Sequence, residues 1–320
     1  MKISLMGADA TELVMNTIWS GDKTQAARKL EVTFLQDDRD PRLPRLDIDV
    51  GYTVQMRDET GTLRFHGNIY DIDRDRAKAT VKVTCFDNLF VLNRSKTYKK
   101  FDKALPEDIA VQICGEMGVK TGNIAATNTP VSFIANDKTG YQIIAGAYTE
   151  AHKQNQKLYQ LIMRGDELDV IEKGTLVEFI LDSARNMTES TYSESITELV
   201  NRVLVVDDKG NTLDTIDDGE SISKYSRFQA TYKQQKDKNT QEGARDLLTK
   251  PKREGNVTAF GDWSCVAGYS VTVRDSLFTG QFWIKSDSHT FKDAFHEMKL
   301  TLEFENLMHE EKVEQQKNAT

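Results

Sequence analysis

The sequence predicts a mainly β protein with α+β insertions, built on two related tube-like antiparallel β-barrels in one chain. Three observations carry that expectation. Short runs alternate polar and apolar residues with turn signals between them, as in antiparallel sandwiches and barrels. Two helical patterns interrupt these runs near the middle of the chain. A nine-residue strand motif occurs twice, with further landmarks after each copy.

The first barrel is expected over 1–95. Lys29–Leu35 and Tyr52–Arg57 alternate with period two, as do Leu63–Ile72 and Thr80–Phe86. Asp58-Glu59-Thr60-Gly61 supplies a turn, with a glycine free to take positive φ. An α+β module is expected over 96–173. Pro106 stands at a first helical position with Glu107 and Asp108 in the first turn, and Ile109, Ile113 and Met117 follow at helical spacing. Gly118 is the stop signal. A second helix is predicted over 141–153, then a hairpin through Gly165-Asp166.

The second barrel is expected over 174–216 and 255–305. Its strands include 176–181 and a hairpin, 202–206 with 211–216, turning at Asp207-Asp208-Lys209-Gly210. Between its two parts an inserted module is expected over 217–254, with a helix starting at Asn239 and Glu242 three residues on. Residues 306–320, rich in Glu, Lys and Gln, are read as a flexible tail.

The repeat pairs Val50-Gly51-Tyr52-Thr53-Val54-Gln55-Met56-Arg57-Asp58 with Ala267-Gly268-Tyr269-Ser270-Val271-Thr272-Val273-Arg274-Asp275. Five of the nine positions are identical. Phe65-His66-Gly67-Asn68 is matched to Phe278-Thr279-Gly280-Gln281, and Val81-Val83-Cys85 to Met298-Leu300-Leu302. Tyr52 and Tyr269 are therefore expected in equivalent barrel positions.

Composition narrows the function classes. Of 320 residues, 42 are Lys or Arg and 50 are Asp or Glu, a net charge of -8 that argues against wrapping nucleic acid. No apolar run reaches the ~18 residues of a membrane span. The start carries no apolar signal segment, so no secretory signal is expected. Cys85, Cys114 and Cys265 are odd in number and widely spaced, as expected of buried, reduced thiols folded in a cytoplasm.

Sites for chemistry are sparse. His289 and His296, flanked by Asp287 and Asp293, are the one pair worth weighing as metal ligands, but a third ligand at disciplined spacing is missing. Asp207-Asp208 and Asp217-Asp218 offer carboxylate pairs for glycosidic chemistry, and equally solvated turns. Residues 224–253 hold nine basic residues with Tyr225, Phe228 and Tyr232 among them. The acidic segment beside them favours a protein contact or a solvated face. Trp19 reads equally as part of an exposed contact loop or as a lid over a barrel end. No catalytic, cofactor-binding or metal residue is assigned.

Trp19-Ser20-Gly21-Asp22, followed by Ala26-Ala27-Arg28-Lys29-Leu30, resembles the opening of the XkdQ/YqbQ-type tail proteins of PBSX-like prophages and related contractile tails. Gly261-Asp262, Gly268-Tyr269-Ser270-Val271, Phe278-Thr279-Gly280 and His289 resemble the late control protein D superfamily, the baseplate hubs of phage tails. Residues 195–203 resemble the family's entry into a middle strand. The resemblance spans most of 1–305. It implies a structural baseplate hub, also found in R-type bacteriocins. Such a hub is a homotrimer whose six barrels adapt a six-fold tail tube to a trimeric spike and line the channel. It implies as partners the tail tube protein, the spike protein and LysM-bearing or wedge baseplate proteins. Neither specific nucleic-acid binding nor membrane insertion is implied, though DNA can pass through the lumen. Assembly is expected in the bacterial cytoplasm, in a virion or tail particle. The motif positions are Trp19, Ser20, Gly21, Arg28, Gly51, Tyr52, Gly67, Gly268, Tyr269, Gly280 and His289. No lysozyme or peptidase motif is fused. The rival readings are a tail-associated peptidoglycan hydrolase and a cell-surface-binding β-protein.

Overall fold

The structure, a computed structural model, describes residues 1–37, 39–234, 239–293 and 295–315. The chain divides into two compact units, one of 1–190 with 256–320 and one of 191–255.

The larger unit opens with β1 (Lys2–Leu5), β2 (Ala8–Asp9), β3 (Val14–Asp22), β4 (Gln25–Leu35), β5 (Thr53–Arg57), β6 (Leu63–Asp75) and β7 (Thr80–Asp87). These form lobe A around Leu30, Val32, Phe34, Val54, Met56 and Ile69, all at most 1% exposed. An α+β lobe follows: α1 (Leu89–Arg94), β8 (Lys96–Ala104), α2 (Pro106–Glu116), β9 (Lys120–Ile124), β10 (Val131–Thr139), α3 (Gly140–Asn155), β11 (Tyr159–Arg164) and β12 (Glu167–Glu172). Pro106 opens α2, and Gly118 ends its turn at φ +72. Thr139 and Gln142 close a reciprocal capping box at the start of α3.

Next come β13 (Leu176–Asp182) and β14 (Met187–Ser195). The smaller unit holds β15 (Arg202–Val206), β16 (Thr212–Asp217), α4 (Gly219–Tyr225), β17 (Gln229–Lys233) and α5 (Thr240–Arg245). The chain then returns through β18 (Lys252–Phe260), β19 (Ser270–Arg274), β20 (Thr279–Lys292) and β21 (Phe295–Glu303), and ends in β22 (Glu314–Gln315). Lobe B packs Val257, Ala259, Val271, Val273, Ile284 and Leu302.

Both lobes belong to one 13-stranded sheet. Lobe A runs β3-β4-β7-β6-β5-β1 and lobe B runs β14-β18-β21-β20-β19-β13. The order is therefore the same, strand for strand. The last pairing differs: β1 is antiparallel to β5, whereas β13 is parallel to β19.

The repeat is physical. In lobe A the Tyr52 N–H donates to Asp49 O, the Gly51 N–H to Ile69 O, and the Ile69 N–H to Tyr52 O. In lobe B the Tyr269 N–H donates to Val266 O, the Gly268 N–H to Ile284 O, and the Ile284 N–H to Tyr269 O. Gly51 and Gly268 sit at φ +84 and +99, the left-handed position this turn requires. Both long strands then carry a bulge one residue on, at Tyr70 and at Lys285. Beyond it Cys85 faces Ile69 and Val83 faces Ile72, as Leu302 faces Ile284 and Leu300 faces Asp287.

One landmark is out of register. Gly67 lies opposite Val54, but Gly280 lies opposite Val273, the counterpart of Met56. Phe-x-Gly is thus displaced by two residues between the copies. A two-residue slip keeps every side chain on its face, so apolar alternation conceals it.

The expected boundaries also change. The inserted unit is 191–255, not 217–254. The 202–217 hairpin joins β17 in its own sheet, order β16-β15-β17, instead of entering the second barrel. The second barrel draws β14 in its place, which is too polar to read as a strand from alternation alone. Residues 306–315 are not a loose tail. Val313 packs against Gly146 of α3, the Glu311 N–H donates to Thr149 Oγ1, and β22 pairs with β10. Residues 316–320 lie outside the described residues.

Gly51→Ala and Gly268→Ala should each lower stability by ~1–2 kcal/mol through left-handed strain alone. Gly268→Ala should cost more, because its Cβ would meet the Gln160 carboxamide, whereas nothing lies within 4 Å at Gly51. Urea unfolding midpoints measure both. Equal losses would contradict the tight packing at Gly268.

Candidate assembly interface

Alternation sets the two faces of the shared sheet. One row runs Met298–His289–Trp19–Leu30–Cys85–Ile69 across six strands, and every member is buried. The next row runs Glu297–Thr290–Ile18–Glu31–Thr84–Asp71 on the opposite face. Beside it runs Lys299–Ser288–Ser20–Lys29–Phe86–Asn68. That face carries Ser, Thr and mixed charge, with Ile18 and Phe86 as apolar members, Phe86 packing against the core of the α+β lobe. On it Glu31 accepts Lys82 Nζ at 2.6 Å and Lys29 Nζ at 3.0 Å.

The lobes meet where β20 pairs with β3, from Ser286 opposite Asp22 to Phe291 opposite Thr17. Behind this joint lies a buried polar cluster. The Arg28 guanidinium forks onto Asp287, Nη1 donating to Oδ1 at 3.0 Å and Nη2 to Oδ2. Asp287 Oδ1 also accepts the Ala267 N–H at 2.7 Å. Arg28 lies 3.9 Å over the Trp19 ring. Gly21 leaves room for that guanidinium, since any Cβ there would strike it. The Arg28 N–H donates to Asp87 Oδ2 at 3.1 Å, and the Leu89 N–H to Oδ1 at 3.0 Å. Burial pushes the Asp87 carboxyl up to about 7 against the pull of Arg28.

His289 is fully buried. Its Nε2 lies 3.1 Å from Cys265 O, which fixes the proton there, and its Nδ1 lies 3.0 Å from His296 Nε2. Both ring nitrogens are engaged, so no lone pair is free for a metal. Among the described residues no three His, Cys, Asp or Glu side chains form a metal cluster. Trp263 stacks on Phe291 at 4.6 Å and packs against Trp19 and His296. Trp19 is 3% exposed and mid-strand, so it is neither an exposed contact loop nor a lid over a barrel end.

Of the motif positions, Trp19, Gly21, Arg28 and His289 converge on this cluster. Ser20 lies on the polar face opposite Ser288. Gly51-Tyr52 and Gly268-Tyr269 form the two equivalent turns. Gly67 stands apart, lying against the Phe86 carbonyl, and Gly280 faces Val273 at φ +143. Sequence reasoning missed Asp287 as the partner of Arg28. Its place two residues before His289 on one strand face was the available signal.

The remaining candidates have structural duties. Asp207 accepts the Lys209 and Asn211 N–H groups, Asp218 caps α4, and Asp217 pairs with Arg202. Asp208 pairs with Lys233. Tyr232 packs with Val203, Val205 and Ala244 in the core of the smaller unit. The three cysteines are buried and unbridged, and burial pushes each thiol up to about 12.

The histidine pair gives a pH dependence. Burial, with His289 beside it, lowers His296 to about 4, and burial lowers His289. Both imidazoles are neutral in the fold, while the unfolded chain takes up protons below ~6.5. Their contribution therefore falls as pH drops from 6.5 towards 4. Asp87 acts in the opposite sense over that range, because the fold binds its proton first. The difference between wild type and His296→Gln isolates the histidine. The stability advantage of wild type should shrink on acidification across this window. A constant difference from pH 7 to 4 would contradict the neutral pair.

Comparisons with known proteins give the family and a shared fold. The chain is 25% identical over 314 residues to the phage-like element PBSX protein XkdQ of Bacillus subtilis, covering 93% of this chain and 95% of that one. The 43 kDa tail protein of prophage MuSo2 from Shewanella oneidensis shares the fold at a TM-score of 0.73, with 14% identity over 94% of this chain and 97% of that one. The E. coli c3393 protein, a type VI secretion component described as similar to the T4 tail proteins gp27 and gp5, matches at 0.58, with 10% identity over 97% and 79%. The model of the YQBQ-like family matches residues 17–303, and the chain belongs to that family.

Proposed function

We propose that this chain is a structural subunit of the baseplate hub of a phage-like contractile tail. Three copies would place six lobes around a channel, adapting a six-fold tail tube to a trimeric spike. One observation carries the reading. Two equivalent lobes are already joined edge to edge within one chain, β20 of one to β3 of the other. Repeating that joint between copies builds a ring in which each chain supplies two of six positions, a heterologous contact that closes.

The polar rows of the shared sheet suit the lining of such a channel. Alternating Lys29, Glu31 and Lys82 with Ser and Thr gives a face without a strong field, which would let a polyanion or a polypeptide pass without sticking. The family relationship to XkdQ and the fold shared with the MuSo2 tail protein support a place in the tail. The partners proposed are the tube protein, the spike protein and the wedge or LysM-bearing baseplate proteins. Assembly in the bacterial cytoplasm precedes incorporation into the tail particle. No helix among the described residues is long and apolar enough to cross a membrane.

No catalysis is assigned. The hydrolase reading rested on the Asp207, Asp208, Asp217 and Asp218 carboxylates and on the histidine pair, all of which hold turns, caps, ion pairs or each other. Native mass spectrometry after co-expression with the tube and spike proteins tests the proposal. Three copies bridging both partners are expected. A monomer that captures neither would overturn the adaptor role.

A further inference from the structure

Three lobes meet around Arg28. Arg28 stands on β4 of lobe A, Gln160 on β11 of the α+β lobe, and Ala267-Gly268 at the turn of lobe B. The β3–β4 ladder opens here. Ser20 lies opposite Lys29 and Asp22 opposite Gln25, so residues 26–28 face Gly21 alone. Two glycines then make room for polar groups. A Cβ on Gly21 would lie 2.9 Å from Arg28 Cζ and 3.4 Å from its Cγ. A Cβ on Gly268 would lie 2.5 Å from the Gln160 carboxamide carbon. Both polar side chains line one cavity of about 20 Å³, with Gly21, Lys23, Tyr141 and Ala267 on its other walls.

The hydrogen-bonding groups at this cavity are not all used within the protein. Arg28 sends Nη1 and Nη2 to Asp287, but its Nε is buried and finds no partner among the described residues. Arg28 as a whole is only 6% exposed. Nε lies on the chain between Cγ and Cζ, the atoms beside the Gly21 notch, and Gly21 walls the cavity. The Gln160 Nε2 donates to Ala267 O at 3.4 Å, which leaves Oε1 to accept. Buried donors of this kind are met by protein or by ordered water.

Size and charge select the occupant. One water needs ~10–15 Å³ and at least two polar partners, and the cavity supplies both. The cations around it are already balanced, Arg28 by Asp287 and Lys23 by Glu303. A small anion would gain no net attraction there. We infer that one tightly held water bridges Arg28 Nε of lobe A to the Gln160 carboxamide of the α+β lobe, beside the Arg28–Asp287 fork. It accepts from Nε and donates to Gln160 Oε1. The third lobe is thereby tied to the joint between the other two. The inference stands apart from the ring reading.

A high-resolution crystal structure of the full chain tests the site, with a bromide soak to reveal an anion by its anomalous signal. A water oxygen ~2.7–3.2 Å from both Nε and the Gln160 carboxamide is expected. Magnetic relaxation dispersion of water gives a second reading in solution. Gln160→Leu, with circular dichroism confirming its fold, should hold one long-lived water fewer than wild type. Bromide at the site, a cavity without an ordered water, or equal water counts in the two chains would overturn the inference.

Discussion

Arg28 and Asp287 stand 259 positions apart and form a forked ion pair with almost no exposure. Arg28 enters from β4 of one lobe, and Asp287 from β20 of the other. Removing either partner would strand a charge in the interior, which costs several kcal/mol even after relaxation. The cluster around the pair follows from that constraint. Trp19 covers the guanidinium, Gly21 makes room for it, and the Ala267 N–H satisfies the carboxylate. His289 and His296 lock into one neutral tautomeric pair beside it. Two lobes that could have been separate barrels are thereby set in a single register.

The same constraint explains why the repeat is not symmetric in chemistry. Asp287 occupies the position of Ile72, and His289 that of Arg74, as the shared registers require. Lobe B therefore carries its polar cluster where lobe A carries an apolar residue and an exposed arginine. One copy of the motif is adapted to a permanent joint inside the chain. The other carries an aromatic cluster of Tyr70, Phe86 and Phe90 beside its bulge.

Much of this was legible in the sequence. Alternation placed β4 to β7, and proline and glycine punctuation placed α2. The Gly-Tyr motif located two turns that prove identical in hydrogen bonding. What escaped notice has physical causes. β14 is Ser, Thr and Glu along most of its length, because it is an edge with little apolar face to bury. The 202–217 hairpin has the alternation of a barrel strand but spends it on a small separate core. The Phe-x-Gly landmark slipped by two residues because period-two patterning cannot register an even shift. Residues 306–313 looked like a tail because their anchors are small: a notch at Gly146, one threonine hydroxyl and one buried lysine amine, Lys173 on Leu307 O. The Arg28–Asp287 pair left only one trace, the place of Asp287 two residues before His289, since no local pattern links residues so distant.

The most direct test of this account is a double-mutant cycle on Arg28→Met and Asp287→Asn, followed by urea unfolding. Each single variant should lose ~3–5 kcal/mol, and the double variant distinctly less than the sum, because no orphan charge then remains in the joint. Small and additive losses would mean that the sheet holds its register without the pair, and would contradict its central place.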